Sequence, residues 1–243
     1  MHSLFLPQAD PSQKLGLVIP TLCEAGNIRE LLERVRRTLD PLGIEYESVV
    51  VDDDSGDDIE TLVNDLARQD PRMRLVTRKN ARGLAGAIAY GWRCTDAGIL
   101  GVMDADLQHP PELLPQLWYA LQSGADAVVA SRYATKARRP NWSRIRYLIS
   151  HFAIVMAWPV QRPAIRVTDP MSGFFLVRRS CIESVRFQQE GFKILLEILV
   201  RGKVRTVVEI PFTFGKRRTG KSKASLGIAV DYLRLLVRLW KER

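Results

Sequence analysis

The chain has 243 residues, 46% hydrophobic and 26% charged, which is ample apolar material for a packed core and excludes disorder, collagen and coiled coil. Its 36 Lys and Arg against 27 Asp and Glu give a formal charge of +9, so the expected partner is anionic: nucleic acid, a phosphorylated small molecule or an acidic membrane surface. With no Pro/Gly/Ser-rich divider, the reading is one domain over 14–224 followed by a C-terminal basic amphipathic helix over 225–243. Cys23, Cys94 and Cys181 have no C-x-x-C spacing and fit a reducing compartment, with Cys23 read as a small core residue. No secretory signal is read in 1–12, and the most apolar window, 147–160, falls short of the roughly 20 residues that a bilayer-spanning helix needs.

In chain order, 15–19 reads as a buried strand, and Asn27 caps a helix built on Ile28, Leu31, Leu32, Val35 and Leu39, with Glu30 closing a capping box. Residues 48–51 form the next strand, Ile59, Leu62, Val63 and Leu66 mark a helix, 73–76 a strand, 84–92 a helix and 99–103 a strand. Pro110 and Pro111 open a helix where a missing N–H costs nothing, with Leu113, Leu114, Leu117 and Leu121 inward, and 127–130 returns as strand. Strands alternating with helices predict an α/β fold with a mostly parallel sheet covered on both faces. After Ser131 the chain turns basic and aromatic, with a helix over 142–158, a strand over 173–177, a helix over 192–200 and a strand over 207–214. A Gly/Lys/Arg/Ser loop over 215–225 leads into the last helix.

The segment Val102-Met103-Asp104-Ala105-Asp106-Leu107-Gln108-His109-Pro110 carries the most chemistry. A buried strand running into acids at i and i+2 sends both side chains to one side, where they repel unless a cation lies between them. Oxygen donors, with Gln108 as a third, suit Mg²⁺ or Mn²⁺ and not zinc. The plain alternative is a pair of loop acids ahead of the next helix. Ligands of open α/β sheets bind beyond the carboxyl ends of the strands, and here three such ends are polar: 20–24, 52–55 and Asp104 with Asp106. Acids gathered there in a +9 chain read as acceptors for a nucleotide base and ribose, with a metal for its diphosphate.

The succession Pro20-Thr21…Glu24, Val50-Val51-Asp52-Asp53-Asp54-Ser55, Arg78…Arg82-Gly83-Leu84, the Asp104 segment, Ser131-Arg132-Tyr133, Asp169…Ser172-Gly173-Phe174 and Gly220-Lys221-Ser222-Lys223 resembles the dolichol-phosphate (polyprenyl-phosphate) mannosyltransferases. These are inverting family 2 glycosyltransferases of the GT-A (Rossmann-like) fold, and the resemblance spans about 15–239. It implies transfer of a hexose, mannose from GDP-mannose, to a polyprenyl monophosphate. It also implies that Pro20, Leu22 and Glu24 line the nucleotide pocket, that Val51 and Asp53 hold base and ribose, and that Asp104, Ala105, Asp106 and Gln108 form the metal and diphosphate station for Mg²⁺ or Mn²⁺. By the same resemblance Arg132, Arg217 and Lys223 contact phosphates, Arg146 and Ser150 meet the lipid phosphate, and Asp169 positions acceptor or sugar. Asp104, Asp106, Arg132 and Asp169 are then the residues that carry catalysis. The sequence departs from the family pattern at Cys23, where Asn is usual, and at Asp57-Asp58-Ile59, where Asp-Gly-Thr is usual.

A prenyl phosphate is already an oxyanion at neutral pH, so no general base is required. What remains is to align two anions, work suited to arginine and lysine. Rival readings are a UDP-glucose donor, a soluble saccharide acceptor that would need a base, and a nucleic-acid module, which explains the charge but not the acids at three strand ends. Arg138, Arg139, Arg144 and Arg146 also fit a solvated basic face. Helices 142–158 and 226–240, apolar on one side, either lie on a bilayer or pack on the domain or a partner subunit. The expectation is a cytoplasmic enzyme, peripheral on the inner face of the membrane, open to a membrane-anchoring partner subunit and not binding nucleic acid.

Overall fold

A computed structural model describes residues 13–134, 144–187, 193–215 and 226–242, with backbone alone for 144–147 and 226–229. The elements are β1 (Leu15–Thr21), α1 (Ala25–Leu39), β2 (Tyr46–Asp52), α2 (Ile59–Gln69), β3 (Met73–Thr77), α3 (Leu84–Arg93), β4 (Ile99–Val102), α4 (Leu114–Gln122), β5 (Ala127–Ser131), α5 (Arg144–Ala157), β6 (Phe175–Arg178), α6 (Ile194–Arg201), β7 (Val207–Pro211) and α7 (Leu226–Lys241). They build a seven-stranded sheet of order β3-β2-β1-β4-β6-β5-β7. The pairs β1/β2, β1/β4, β2/β3 and β5/β7 are parallel, and β6 runs antiparallel to both its neighbours. The mostly parallel sheet read from the sequence therefore holds, with one reversed strand inserted between β4 and β5.

Both faces of the central sheet are covered, so β1, β4 and β5 are buried along their whole length rather than alternating, whereas the edge strands β3 and β7 are only partly buried. In β1, Leu15, Leu17 and Ile19 pack with Ile28, Leu31 and Val35 of α1 and Leu114 and Leu117 of α4 on one face. Val18, pointing the other way, joins Ala85 and Ile88 of α3 and Ile198 of α6. Pro20 is tolerated in this central strand because the pairing to β4 ends at Val18 and Val102, so its missing N–H falls beyond the ladder. A smaller cluster joins Tyr232, Leu235, Leu236 and Leu239 of α7 to Ala157 and to Leu196 of α6.

Four non-glycine residues adopt left-handed backbone: Cys23, Asp54, Asn80 and Leu107, with φ of 61°, 56°, 56° and 61°. Each follows the carboxyl end of one of the first four strands. Asp and Asn tolerate this conformation, whereas Cys and Leu carry strain of about 1 kcal/mol or more, the kind that collects at functional rims. Cys23 is exposed there, not a core residue.

The start of α1 also differs from expectation. Asn27 lies inside the helix, buried, with its Nδ2 donating to Glu24 Oε2 at 2.7 Å, and no Asn27–Glu30 capping box forms. The free N–H of Ala25 is taken by Asp57 Oδ2 of the β2–α2 loop at 3.1 Å, a non-local cap that local sequence does not display. Pro111–Leu113 forms one 3₁₀ turn before α4, and the strands expected over 173–177 and 207–214 are Phe175–Arg178 and Val207–Pro211.

Candidate active site

β4 ends at Val102, so Asp104 and Asp106 lie in the turn beyond the strand and not in strand alternation. The turn is fixed from inside. Asp104 N–H donates to His109 Nδ1 at 3.2 Å, Gln108 N–H donates to Asp106 Oδ1 at 3.1 Å, and Leu107 supplies the left-handed residue between them. His109 is buried among the rings of Phe174, Phe212 and Phe214, with centroids at 5.4, 5.7 and 5.5 Å. Burial pushes its pKa down to about 4, so the imidazole is neutral and its Nδ1 lone pair accepts. Gln108, also buried, gives its Nε2 to Gly215 O at 3.0 Å, and Gly215 N–H donates to Gln108 O at 3.0 Å. The segment that holds Arg217 and Lys223 thus leaves from the acid turn, but those two residues lie outside the described ones.

The Asp104 side chain, 34% exposed, rests against Gly173. A Cβ at 173 would come within 2.8 Å and 2.9 Å of the two carboxylate oxygens, so only glycine leaves this cradle open. Two carboxylates and an amide in one turn fit Mg²⁺ or Mn²⁺, which keep waters and bind substrate phosphates through one or two carboxylates. Among the described residues no group of three or more His, Cys, Asp or Glu offers a richer site. Gly173→Ala is expected to displace the Asp104 carboxylate, because that side chain yields more easily than backbone. Turnover should fall about 10²-fold and Mn²⁺ binding by isothermal titration should weaken in parallel. The melting temperature should move by less than about 3 °C.

Across the rim, Asp169 is fully buried and holds Arg132 bidentately, with Nε to Oδ2 at 2.7 Å, a second guanidinium N–H to Oδ1 at 2.8 Å and the Arg132 backbone N–H to Oδ2 at 3.0 Å. Glu209 of β7 steadies this pair from behind, accepting from Thr168 N–H at 2.9 Å, Thr168 Oγ1 at 2.7 Å and Asp169 N–H at 3.2 Å. Arg132 also lies 5.5 Å above the Phe214 ring and feels the field of Asp104. Lys193, which the sequence reading missed, enters the same cluster at the start of α6. Burial first, and then Arg132, lower its pKa to about 8, against the opposing pull of Asp104 and Asp169. Its signal in the sequence is slight: a single Lys ahead of the apolar run that becomes α6.

The acids at the other strand ends are tied to neighbours. Asp53 is buried and takes both arms of Arg78 at 2.7 Å each and Gly83 N–H at 2.9 Å. Asp52 accepts from Ser55 N–H at 2.9 Å, from the Ser55 hydroxyl and from Thr21 Oγ1 at 3.2 Å, while Ser55 Oγ takes Cys23 N–H at 2.8 Å. The first and second loops are thereby stitched together. Val51 is a core side chain, so its approach to the rim is through backbone, and that carbonyl receives Thr21 Oγ1 at 3.2 Å. Pro20 and Ala105 are buried, and Leu22 and Glu24 are half-buried in the β1–α1 loop.

Next to Arg132, Tyr133 donates its hydroxyl to Ser150 Oγ of α5 at 2.7 Å. Beside them opens a groove of about 690 Å³, mainly apolar, lined by Tyr133, His151, Ile154, Val155, Trp158, Pro159 and Thr168. Arg146 sits on α5 by its backbone, its side chain being outside the description. The outer faces of α5 and α7 leave Leu148, Ile149, Phe152 and Trp240 about two-thirds exposed, at 64%, 66%, 66% and 66%. Among the described residues no helix is long and apolar enough to cross a membrane.

Residues 17–186 match the family model described as Glycosyl transferase family 2. The chain is 42% identical over 229 residues to a dolichol-phosphate mannosyltransferase of Pyrococcus furiosus, covering 94% of this chain and 64% of that protein. It is 35% identical to the dolichol-phosphate mannosyltransferase of Saccharomyces cerevisiae, covering 94% and 88% of the two chains. To the polyprenol monophosphomannose synthase of Mycolicibacterium smegmatis it is 30% identical, covering 88% and 82%. The fold is shared with glucosyl-3-phosphoglycerate synthase from Mycobacterium tuberculosis, solved with Mn²⁺, UDP-glucose and phosphoglyceric acid. That likeness has a TM-score of 0.66 at 19% identity over 93% of this chain and 79% of that one.

Proposed function

The chain belongs to glycosyl transferase family 2, and on that premise we propose that it moves a mannosyl group from GDP-mannose to the phosphate of a polyprenyl monophosphate at a membrane surface, inverting the anomeric carbon. One observation carries this reading: the Asp104–Asp106 turn, the Arg132–Asp169 pair and an apolar groove beside Tyr133 and Ser150 share one rim. A site for two anions, one of them with a greasy tail, has that composition.

In this reading Pro20, Leu22, Glu24, Val51 and Asp53 border the nucleoside, and Ala105 lets the diphosphate approach the turn backbone. Asp104 and Asp106, with Gln108 adjoining, would hold Mg²⁺ or Mn²⁺, which neutralises charge growing on the departing diphosphate. Arg132, oriented by Asp169, presents a fixed cation to the phosphates, and Lys193 adds a second. Arg217 and Lys223 are assigned to the donor phosphates, Arg146 and Ser150 to the acceptor phosphate. Asp169 has no proton to remove, since the acceptor is already ionised and its own oxygens are spent on Arg132. The groove takes the first prenyl units.

The membrane contact is peripheral in this proposal, made by the exposed apolar faces of α5 and α7 and supported by the +9 charge against anionic lipid. The same faces would receive a membrane-anchoring subunit. Phe152→Ser with Trp240→Ser should lower co-sedimentation with anionic liposomes more than tenfold, since each ring buries roughly 2 kcal/mol of apolar contact. Unchanged sedimentation would remove these faces from the account.

The decisive assay incubates the purified chain with Mn²⁺, a prenyl phosphate and either labelled GDP-mannose or labelled UDP-glucose. Label from GDP-mannose is expected in the organic extract. Label moving only from UDP-glucose would reassign the donor, and label staying in water with both would overturn the proposal.

A further inference from the structure

A second cleft, of about 830 Å³, lies between α3 and the segment that follows β6, and none of Asp104, Asp106, Arg132 or Asp169 lines it. Its volume is that of a small-molecule pocket. Five cations line it, Arg78, Lys79, Arg93, Arg179 and Arg186, against one acid, Glu183. Arg78 is neutralised by Asp53, but the others are not equally served. Arg179 spends its guanidinium on the backbone carbonyls of Trp92, Thr95 and Ala97, which supply dipoles and no net charge. Lys79, Arg93 and Arg186 are exposed, and among the described residues none of the three forms an ion pair.

Like charges converging on a concave wall focus a positive field, and a bound polyanion relieves it. The cleft also offers flat apolar surface. The half-buried rings of Tyr90 and Phe187 supply it, Phe187 resting edge to face on the buried Trp92 with centroids 5.6 Å apart. A ligand with clustered negative charge and a planar ring satisfies both features. The cleft is also wired to the rim, because Arg78 lines it while holding both carboxylate oxygens of Asp53, which in turn fixes Gly83 N–H.

We propose that this cleft is a second binding site, for a nucleoside phosphate, coupled through Arg78 to Asp53. The coupling, though not the binding, rests on the reading of Asp53 as a donor-site residue. Occupancy that draws Arg78 toward phosphate loosens its grip on Asp53, so the two sites influence each other's affinity.

Isothermal titration of the full chain with GDP in Mn²⁺ tests this. The wild type is expected to bind two equivalents. Arg93→Glu with Arg186→Glu should weaken one of them at least tenfold, and the milder Arg93→Gln with Arg186→Gln should weaken the same one, with melting temperatures confirming folded protein. Asp104→Ala should leave that equivalent in place and weaken the other, and inorganic pyrophosphate should displace it. A single equivalent in the wild type, a second one indifferent to both arginine pairs, or one that pyrophosphate fails to displace would overturn the proposal. Failure of Asp104→Ala to weaken the other equivalent would count against the proposed transferase site while leaving the cleft standing.

Discussion

Asp104→Asn is expected to cut transfer about 10³-fold while the protein melts within a few degrees of wild type, and Asp106→Asn to do the same. Both replacements keep side-chain shape and remove one charge, so the loss reports electrostatic stabilisation of the departing diphosphate, a contribution of roughly 3–4 kcal/mol at sites of this kind. Asp104 is held by its own backbone N–H on His109 Nδ1 and by the Gly173 cradle, neither of which depends on its carboxylate charge. The fold should therefore survive. Transfer measured against Mn²⁺ concentration checks the reading. If the variants retain turnover in EDTA equal to wild type in Mn²⁺, the acid turn is not where the diphosphate is met.

Asp169→Ala should be the most damaging single change to stability. It strips a buried guanidinium of its bidentate partner and of the acceptor for its backbone N–H. Breaking one half of a buried pair costs about 3–5 kcal/mol, because the surviving charge stays out of water. Arg132→Met alone leaves the mirror problem, an unpaired carboxylate that is fully buried. The double replacement Arg132→Met with Asp169→Leu removes both charges and should recover much of the melting temperature. On the proposed role of Arg132 at the phosphates, activity should not return with it. Recovery of both would make the pair a stability device only.

Much of this molecule can be read locally. The faces of α1 and α2, the buried strands and the alternation that yields a mostly parallel sheet all follow from spacing of apolar residues, and the acids at strand ends stand out against a basic chain. What escaped is non-local. Nothing around Phe175–Arg178 announces that this strand runs backwards, because a short run buried on both faces has no direction written in it. The capping of Ala25 by Asp57, and the grip of Arg78 on Asp53, join residues 32 and 25 positions apart. Spacing suggested that Asp104 and Asp106 share a side by strand geometry, whereas both lie beyond the end of β4, in a turn that Leu107 follows in left-handed backbone. Lys193 joins them only because α6 packs where it does. The acids at the strand ends were legible as a group, but their individual partners were not, since a carboxylate that binds a ligand and one that braces a loop have the same letter.

The reversed strand also bears on how the protein is made. β4 obtains its second neighbour only when Phe175–Arg178 has been synthesised, so a nascent chain that stops after β5 presents an open sheet edge at the centre of the future domain. Asp169 and Gly173 lie just ahead of β6, so both rim groups are added only after β1 to β5 have been synthesised. A chain halted before that stretch lacks both groups and leaves the β4 edge unpaired, a surface open to pairing with a second chain.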